Sequence, residues 1–423
     1  MHGRRQEPPE MTPGPAGHGP VPARPVPATP RPARRAGGAG ITALAAVVAL
    51  GVVAGCGSSA GGAGSAPGSG SDSRTTTVSI DITRQGCEPR PAKISAGQVQ
   101  FNVTNKNADA VSEAELRTGD LAKILGEQEN LTPGLSGGFA LTIQPGSYKI
   151  TCPGAAQPHS TLTVSGQASG ASWQSSPQLS AAVHGYSSYI SDNTASLVAR
   201  TQQFCTAINA GSMERARVAY PQARVYYEHI EPVAEIWGDL DTQIDGRWEN
   251  PVTVRSQFTG FHRLEQLLWE DNTLAGAPRL CSDLVRHEQQ LLKLVRSAQY
   301  NPLEMASGAT ELINEAGTSK ISGEEERYSS TDLPVFQANV DGAMEIVSLL
   351  KPYLEQKNAS LLSLIQRRDD AIARQMKQFQ ASPGYDDTGY VEYSTVLDSQ
   401  RRKLSAAVNA LAEALSKISL QVS

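Results

Sequence analysis

In the string GFHRLEQLLWED, residues 260–271, His262 and Glu265 stand three positions apart, which places both side chains on one face of a helix. An imidazole nitrogen beside a carboxylate oxygen can hold a metal ion, or the two can simply satisfy each other in a core. Phe258, Phe261, Leu267, Leu268 and Trp269 surround the pair in sequence, so it reads as partly buried, and buried polar groups need partners. Two more acidic pairs lie nearby. Glu228 and Glu231 in YYEHIEP share one helical face, and Asp239 and Asp241 fall in WGDLDTQID, read as a tight loop. A hard metal ion takes several carboxylate oxygens with an imidazole, and the three clusters together supply that set. The structural alternative is a set of solvated acidic faces and a core histidine bonded to one carboxylate.

Peptide hydrolysis by a metal needs more than this pair. The His-Glu-x-x-His helix carries two imidazoles one turn apart with a glutamate between them as general base. Gln266 stands four residues after His262, and Leu291 four after His287, so a metallopeptidase lacks its ligand set here. An adhesive or structural lipoprotein without specific metal binding is the other alternative. Metal content separates them, because a ligand bound only by the folded state raises its stability.

Such side chains must be held by rigid elements. From Leu179 to the end, residues 179–423, apolar residues recur at helical spacing in strings such as YISDNTASLVARTQQFCTAINAG and LCSDLVRHEQQLLKLVRSAQ, about eight helices in all. One or two antiparallel bundles are expected, with sites built from facing helices. Residues 75–167 instead alternate with a period of two in TTTVSIDIT, QVQFNVTN, GGFALTIQPGSYKITC and STLTVSG, the pattern of antiparallel strands in a small sandwich. The Ser/Gly-rich stretch 168–178 links the two. The fold class is therefore multidomain, a β-sandwich followed by an all-α helical bundle.

Cysteines mark both domains. The β segment has no Met and only His159, so a blue-copper site cannot be assembled from it. Cys87 and Cys152 leave two readings open: a disulfide in an oxidising compartment, or a metal site combining thiolate sulfur with Glu88, Glu113 or Glu115. Cys205 and Cys281 lie in expected helices, and pairing them leaves each domain its own pair, although four cysteines allow three pairings.

The ends set the compartment. Residues 1–55 run from Pro/Arg-rich sequence with Arg31, Arg34 and Arg35 into the apolar ITALAAVVALGVVAG, the order of a secretory signal. Val53-Ala54-Gly55-Cys56 resembles a bacterial lipobox, which implies cleavage before Cys56 and lipidation of that cysteine. Residues 56–74, rich in Gly and Ser, read as a flexible tether. Net charge is −5 with no basic cluster in the body of the chain, which argues against nucleic acid as a partner.

Gly260-Phe261-His262-Arg263-Leu264-Glu265 matches the Gly-x-His-x-x-Glu motif of imelysin-like proteins. ARVYYEHIEPVAEIWGDLDTQID and TSKISGEEERYSSTDLPVFQANVDGA resemble segments of EfeO-type proteins, the extracytoplasmic components of EfeUOB-type iron uptake systems. The longer members carry a cupredoxin-like domain in front, with one cysteine early and one late, as CEP at Cys87 and YKITC at Cys152. The resemblance covers residues 75–423. It implies a lipid-anchored iron-binding protein on the outer face of the cytoplasmic membrane. The cargo would be Fe(III) or Fe(II), passed to a membrane permease with a haem-type peroxidase as third component. Carried over, the metal ligands are His262, Glu265, Glu228 and one of Asp239 and Asp241, with Glu231 close by. A second site, for copper or zinc, would draw on Cys87, Cys152, Glu113 and Glu115.

Overall fold

The computed structural model describes residues 75–129, 131–166, 173–248, 254–318 and 320–422. The expected secretory leader, Cys56, the tether and the first part of the linker lie outside the described residues. Gly70–Ser423 forms one compact unit, in which strands run as far as Ser165 and helical structure starts at Trp173.

Among the described residues nine strands form the β domain: β1 (Thr76–Ile82), β2 (Cys87–Arg90), β3 (Lys93–Ser95), β4 (Gly97–Asn105), β5 (Ala114–Thr118), β6 (Ile124–Gln128), β7 (Ser136–Ile143), β8 (Gly146–Thr151) and β9 (His159–Ser165). One sheet has the order β2-β1-β4-β7 and the other β3-β9-β8-β5-β6. Alternation drives the packing: Val78, Ile80 and Ile82 of β1 and Val99, Phe101 and Val103 of β4 are all buried, as a period of two requires. The sandwich is not wholly antiparallel. β1 pairs with β4, and β3 with β9, in parallel, because the chain crosses to the other sheet between the partners. The short strands β2, β3, β5 and β6 fall outside the runs expected from sequence.

The helices are α1 (Pro177–Asn209), α2 (Met213–Glu228), α3 (Glu231–Ala234), α4 (Gly238–Asp245), α5 (Gly260–Trp269), α6 (Ala277–Ser297), α7 (Pro302–Thr318), α8 (Asp332–Met376), α9 (Asp398–Leu415) and the short α10 (Ser419–Val422). α1 begins two residues before the expected boundary. Ser176 caps it, its Oγ accepting the Leu179 N–H at 3.3 Å, with Pro177 preset for the first turn. α8 merges two expected helices across a break at Asn358, whose φ of −157° and ψ of 69° leave helical space. The segment read as one helix followed by a loop is instead α2, α3, a 3-10 turn (Glu235–Trp237) and α4. That run of short pieces brings acidic residues together from several directions.

The two domains meet along β5, β6 and β7. The Ser307 hydroxyl on α7 donates to the Ala140 carbonyl at 3.1 Å, and Lys123 lies over the Trp237 ring. A cavity of about 130 Å³ remains between them, lined by Ile124, Glu127, Phe139, Glu235, Trp237 and Glu311 among others. Among the described residues no helix is long and apolar enough to cross a membrane.

Candidate metal centre

The centre starts from Gly260. Its φ is +75°, and a Cβ there would lie 2.1 Å from the Ile244 carbonyl oxygen. Only glycine permits both the left-handed backbone and that approach, so α5 starts directly against the end of α4. Two residues further on, His262 comes beside the last residue of α4, Asp245, with Nε2 3.4 Å from Asp245 Oδ1 and 3.7 Å from Glu325 Oε1. On the other side of the ring, Nδ1 lies 3.1 Å from Glu265 Oε2. The remaining Glu265 oxygen accepts the backbone N–H groups of Tyr328 and Ser329 at 3.0 and 2.8 Å. Glu265 is thereby fixed and in turn fixes the ring. Nε2 is fully buried and makes no hydrogen bond.

Cations fill the spaces between the carboxylates. Arg224 on α2 reaches Glu326 at 2.7 Å, Glu325 at 2.9 Å and Glu228 at 2.5 Å, and also pairs with Asp245. Its guanidinium lies over the rings of Tyr227 and Phe261, a contact that adds to its hold. Arg247 pairs with Glu325. Lys320, on a 3-10 turn (Lys320–Ser322) between α7 and α8, places Nζ 2.7 Å from Glu228 and 2.5 Å from Glu231. Asn339 on α8 donates to the same two glutamates at 3.1 and 3.0 Å. Glu228, Glu231, Glu265, Glu325, Glu326, His262, Arg224, Lys320 and Asn339 are all buried.

Charge inside this core is set by the contest between burial and pairing. Burial pushes the His262 imidazole down, but the charge of Asp245 and the polar contacts with Asp245 and Glu265 outweigh it and raise it to about 10. Burial also pushes Glu325 up, and Arg247, Lys320, His262 and Arg224 together hold it well below the usual carboxylate range. Arg224 and His262 hold Asp245 down against its own burial. Burial wins at Glu326, which rises to about 8, and at Glu231, which burial and Glu228 push well up.

Among the described residues, four groups of side chains bring ligand atoms within 4.8 Å of one another. They are Asp245, His262 and Glu325; His262, Glu265 and Glu326; Glu228, Glu231, Asp245 and Glu325; and Glu231, Glu235 and Glu315. Three of the four contain Asp245 or His262, so the centre is one continuous assembly. An imidazole nitrogen with several carboxylate oxygens suits a hard or borderline cation. The carboxylate behind the ring orients it, as such partners do in metal sites.

Of the residues expected from sequence, His262, Glu265, Glu228 and Glu231 come together here. Asp239 does not, because α4 is a helix and not a loop, and Asp239 faces solvent. Asp241 accepts a hydrogen bond from the Tyr227 hydroxyl; burial and neighbouring Asp245 raise it to about 7. The aspartate beside His262 is Asp245, four residues after Asp241 on the same helix. Asp245, Glu325 and Glu326 were missed. The helical i, i+4 spacing of Asp241 and Asp245 was the available signal for the first, and the Glu325-Glu326 pair in SGEEERY for the others.

In the β domain, Cys87 and Cys152 form a disulfide, which removes both thiolates from any ligand set. Both sulfurs lie in the sandwich core. Glu115 points the other way, since Leu116 of the same strand is in that core, and forms a bidentate ion pair with Arg117 at 2.5 and 2.8 Å. Burial and Glu115 raise Glu113 to about 7. The two cysteines are thus joined to each other in the core while Glu115 is taken up by Arg117, and among the described residues none of the four belongs to a metal-capable group. Cys205 and Cys281 form the second disulfide, joining α1 to α6.

Comparison with known proteins bears on most of the chain. Residues 182–418 match the imelysin family, and residues 45–164 match the cupredoxin-like domain. The iron uptake system component EfeO of Escherichia coli strain K12 is 36% identical over 345 residues, covering 81% of this chain and 90% of the relative. EfeO of Shigella flexneri and of Escherichia coli O1:K1 match to the same extent. These relatives are named as iron uptake system components. With a cupredoxin-like sandwich, an imelysin helical domain and this degree of identity along most of its length, the chain belongs to the EfeO family of iron-uptake components.

Proposed function

We propose that the helical domain binds iron as cargo, Fe(III) or Fe(II), through His262 Nε2 and carboxylate oxygens of Asp245 and Glu325, with Glu228 and Glu231 extending the acidic set. Glu265 positions the imidazole from behind. The observation that carries this reading is the buried Nε2, which makes no hydrogen bond yet faces two carboxylates at 3.4 and 3.7 Å. The printed name of the relatives, iron uptake system component, supports iron over other cations that such a set accepts. On this reading the protein is extracytoplasmic and anchored through a lipid on Cys56 at the outer face of the cytoplasmic membrane. It delivers iron to a membrane permease, and a haem-type peroxidase of the same system oxidises ferrous iron before transfer.

The test is a titration of the chain from Gly70 onward with Fe(III)-citrate, Zn(II) and Cu(II), beside a His262→Ala, Glu265→Ala double variant. Tight uptake of iron by the wild type and its loss in the variant are expected. Equal binding by both proteins would move the site away from GFHRLE. Absence of binding to either would favour a structural lipoprotein.

A further inference from the structure

Lys320 stands against the two glutamates that extend the acidic set. Its Nζ lies 2.7 Å from Glu228 Oε2, 2.6 and 2.5 Å from the two oxygens of Glu231, and 4.0 Å from both Glu315 and Glu325. Glu228, Glu231 and Glu325 belong with Asp245 to a group whose ligand atoms lie within 4.8 Å of one another. A metal drawing on Glu228 and Glu231 at roughly 2.0–2.6 Å would compete for their oxygens with an ammonium group already in hydrogen-bond contact. Two positive charges would then sit a few ångströms apart in a buried space, where their repulsion is poorly screened.

Arg224 and Lys320 differ in how firmly they are held. Arg224 sits within α2, engages four carboxylates and stacks on two rings. Lys320 sits on one 3-10 turn between helices, held from outside by the Tyr393 hydroxyl donating to the Ile321 carbonyl at 2.6 Å and by Arg401 donating to the Ser322 carbonyl at 3.1 Å. Its compact charge rides on a flexible four-carbon stem with no planar fork to lock it. Of the two, Lys320 is the cation that can leave without dismantling a helix.

We propose that Lys320 is a built-in competitor for the cargo. Its ammonium occupies Glu228 and Glu231 while the protein is empty, is displaced when metal binds, and returns to help expel the ion on delivery. This rests on the iron-binding reading above and adds to it a residue that sets affinity. The site needs no external counter-ion when empty, and holds its cargo less tightly than the bare carboxylates would.

The test compares wild type, Lys320→Met and Lys320→Arg by Zn(II) and Fe(III)-citrate titration and by thermal denaturation with and without metal. Lys320→Met should bind at least tenfold more tightly and melt lower than wild type when metal-free, and metal should restore most of the difference. Lys320→Arg should not gain affinity. Unchanged or weaker binding by Lys320→Met, with a lower melting point in both states, would make Lys320 structural and overturn the proposal while wild-type binding keeps the iron reading. No binding by wild type or any variant would overturn both. Amine labelling of the wild type decides the matter without a variant. Lys320 should be protected in the empty protein and become labelled at saturating Zn(II), and protection that persists would overturn displacement.

Discussion

Glu325 in the helical core and Glu311 at the seam with the β domain are both carboxylates shielded from bulk water, and they meet that condition in opposite ways. Glu325 has Arg224, Arg247, Lys320 and His262 around it and stays ionised. Among the described residues Glu311 forms no ion pair; burial, Glu129 and Glu315 raise it to about 7. Its neighbours follow suit. Burial together with nearby acids pushes Glu127 and Glu235 well up and Glu129 to about 7. One region keeps negative charge by matching it with cations, and the other sheds the charge by taking up protons. Glu325 is therefore a carboxylate that stays ionised well below neutral pH, and Glu311 is not.

The sharpest way to break this distinction is to remove the central cation. Arg224→Met strips four buried carboxylates of a partner, and the loss should be about 3–5 kcal/mol of stability, read as a large fall in the denaturation midpoint. A midpoint equal to wild type would mean that pairing in the core is dispensable. Next in size, Glu265→Gln releases the imidazole from its fixed orientation and should weaken metal binding roughly ten- to a hundredfold. Calorimetric titration should find Glu127→Gln unchanged beside it, and equal losses in both variants would merge the two regions into one site.

Acidity gives a third test. His262, raised to about 10, and Glu326, raised to about 8, hold protons at neutral pH that a ligating metal must expel. Affinity for Zn(II) should therefore climb with pH between about 6 and 8, by roughly tenfold per unit for each proton released. A flat profile would show that His262 is already neutral in the empty protein. The smallest effect belongs to the seam. Glu311 is raised in the folded state from 4.5 to about 7, so the stability it contributes is present below the unfolded value and lost as pH rises through the folded one. At about pH 8 Glu311→Gln should be more stable than wild type by on the order of 1 kcal/mol. The gain should vanish in acid, and a denaturation series across pH that shows no crossover would assign Glu311 a cation.

What could be read in the sequence was local. His262 and Glu265 are one helical turn apart, so the spacing that makes the helix also makes the pair. Val78, Ile80 and Ile82 disclosed β1 in the same way. The rest of the centre depends on long-range packing. Arg224 meets Glu325 and Glu326 across about a hundred positions, and no local period connects them. Lys320 lay in plain view in TSKISGEEERY, yet a lysine in a polar loop string gives no sign that it will be buried. Reading GDLDTQID as a loop put Asp239 and Asp241 on an equal footing; as a helix, it turns Asp239 outward and sets Asp241 and Asp245 one turn apart. In the β domain the two cysteines were visible, but the side of the sheet each acid would face depended on the register of the short β5, which alternation over five residues does not fix.

The disulfide between Cys205 and Cys281 closes a ring across 76 positions that contains Arg224, Glu228, Glu231, Asp245, His262 and Glu265. By loop-closure entropy it adds about 4 kcal/mol to the stability of the fold. If nearby helices open locally, these six side chains remain on one covalent loop and cannot diffuse far from each other. Their effective concentration stays high through such openings, and a single backbone cut inside the ring leaves the two halves joined.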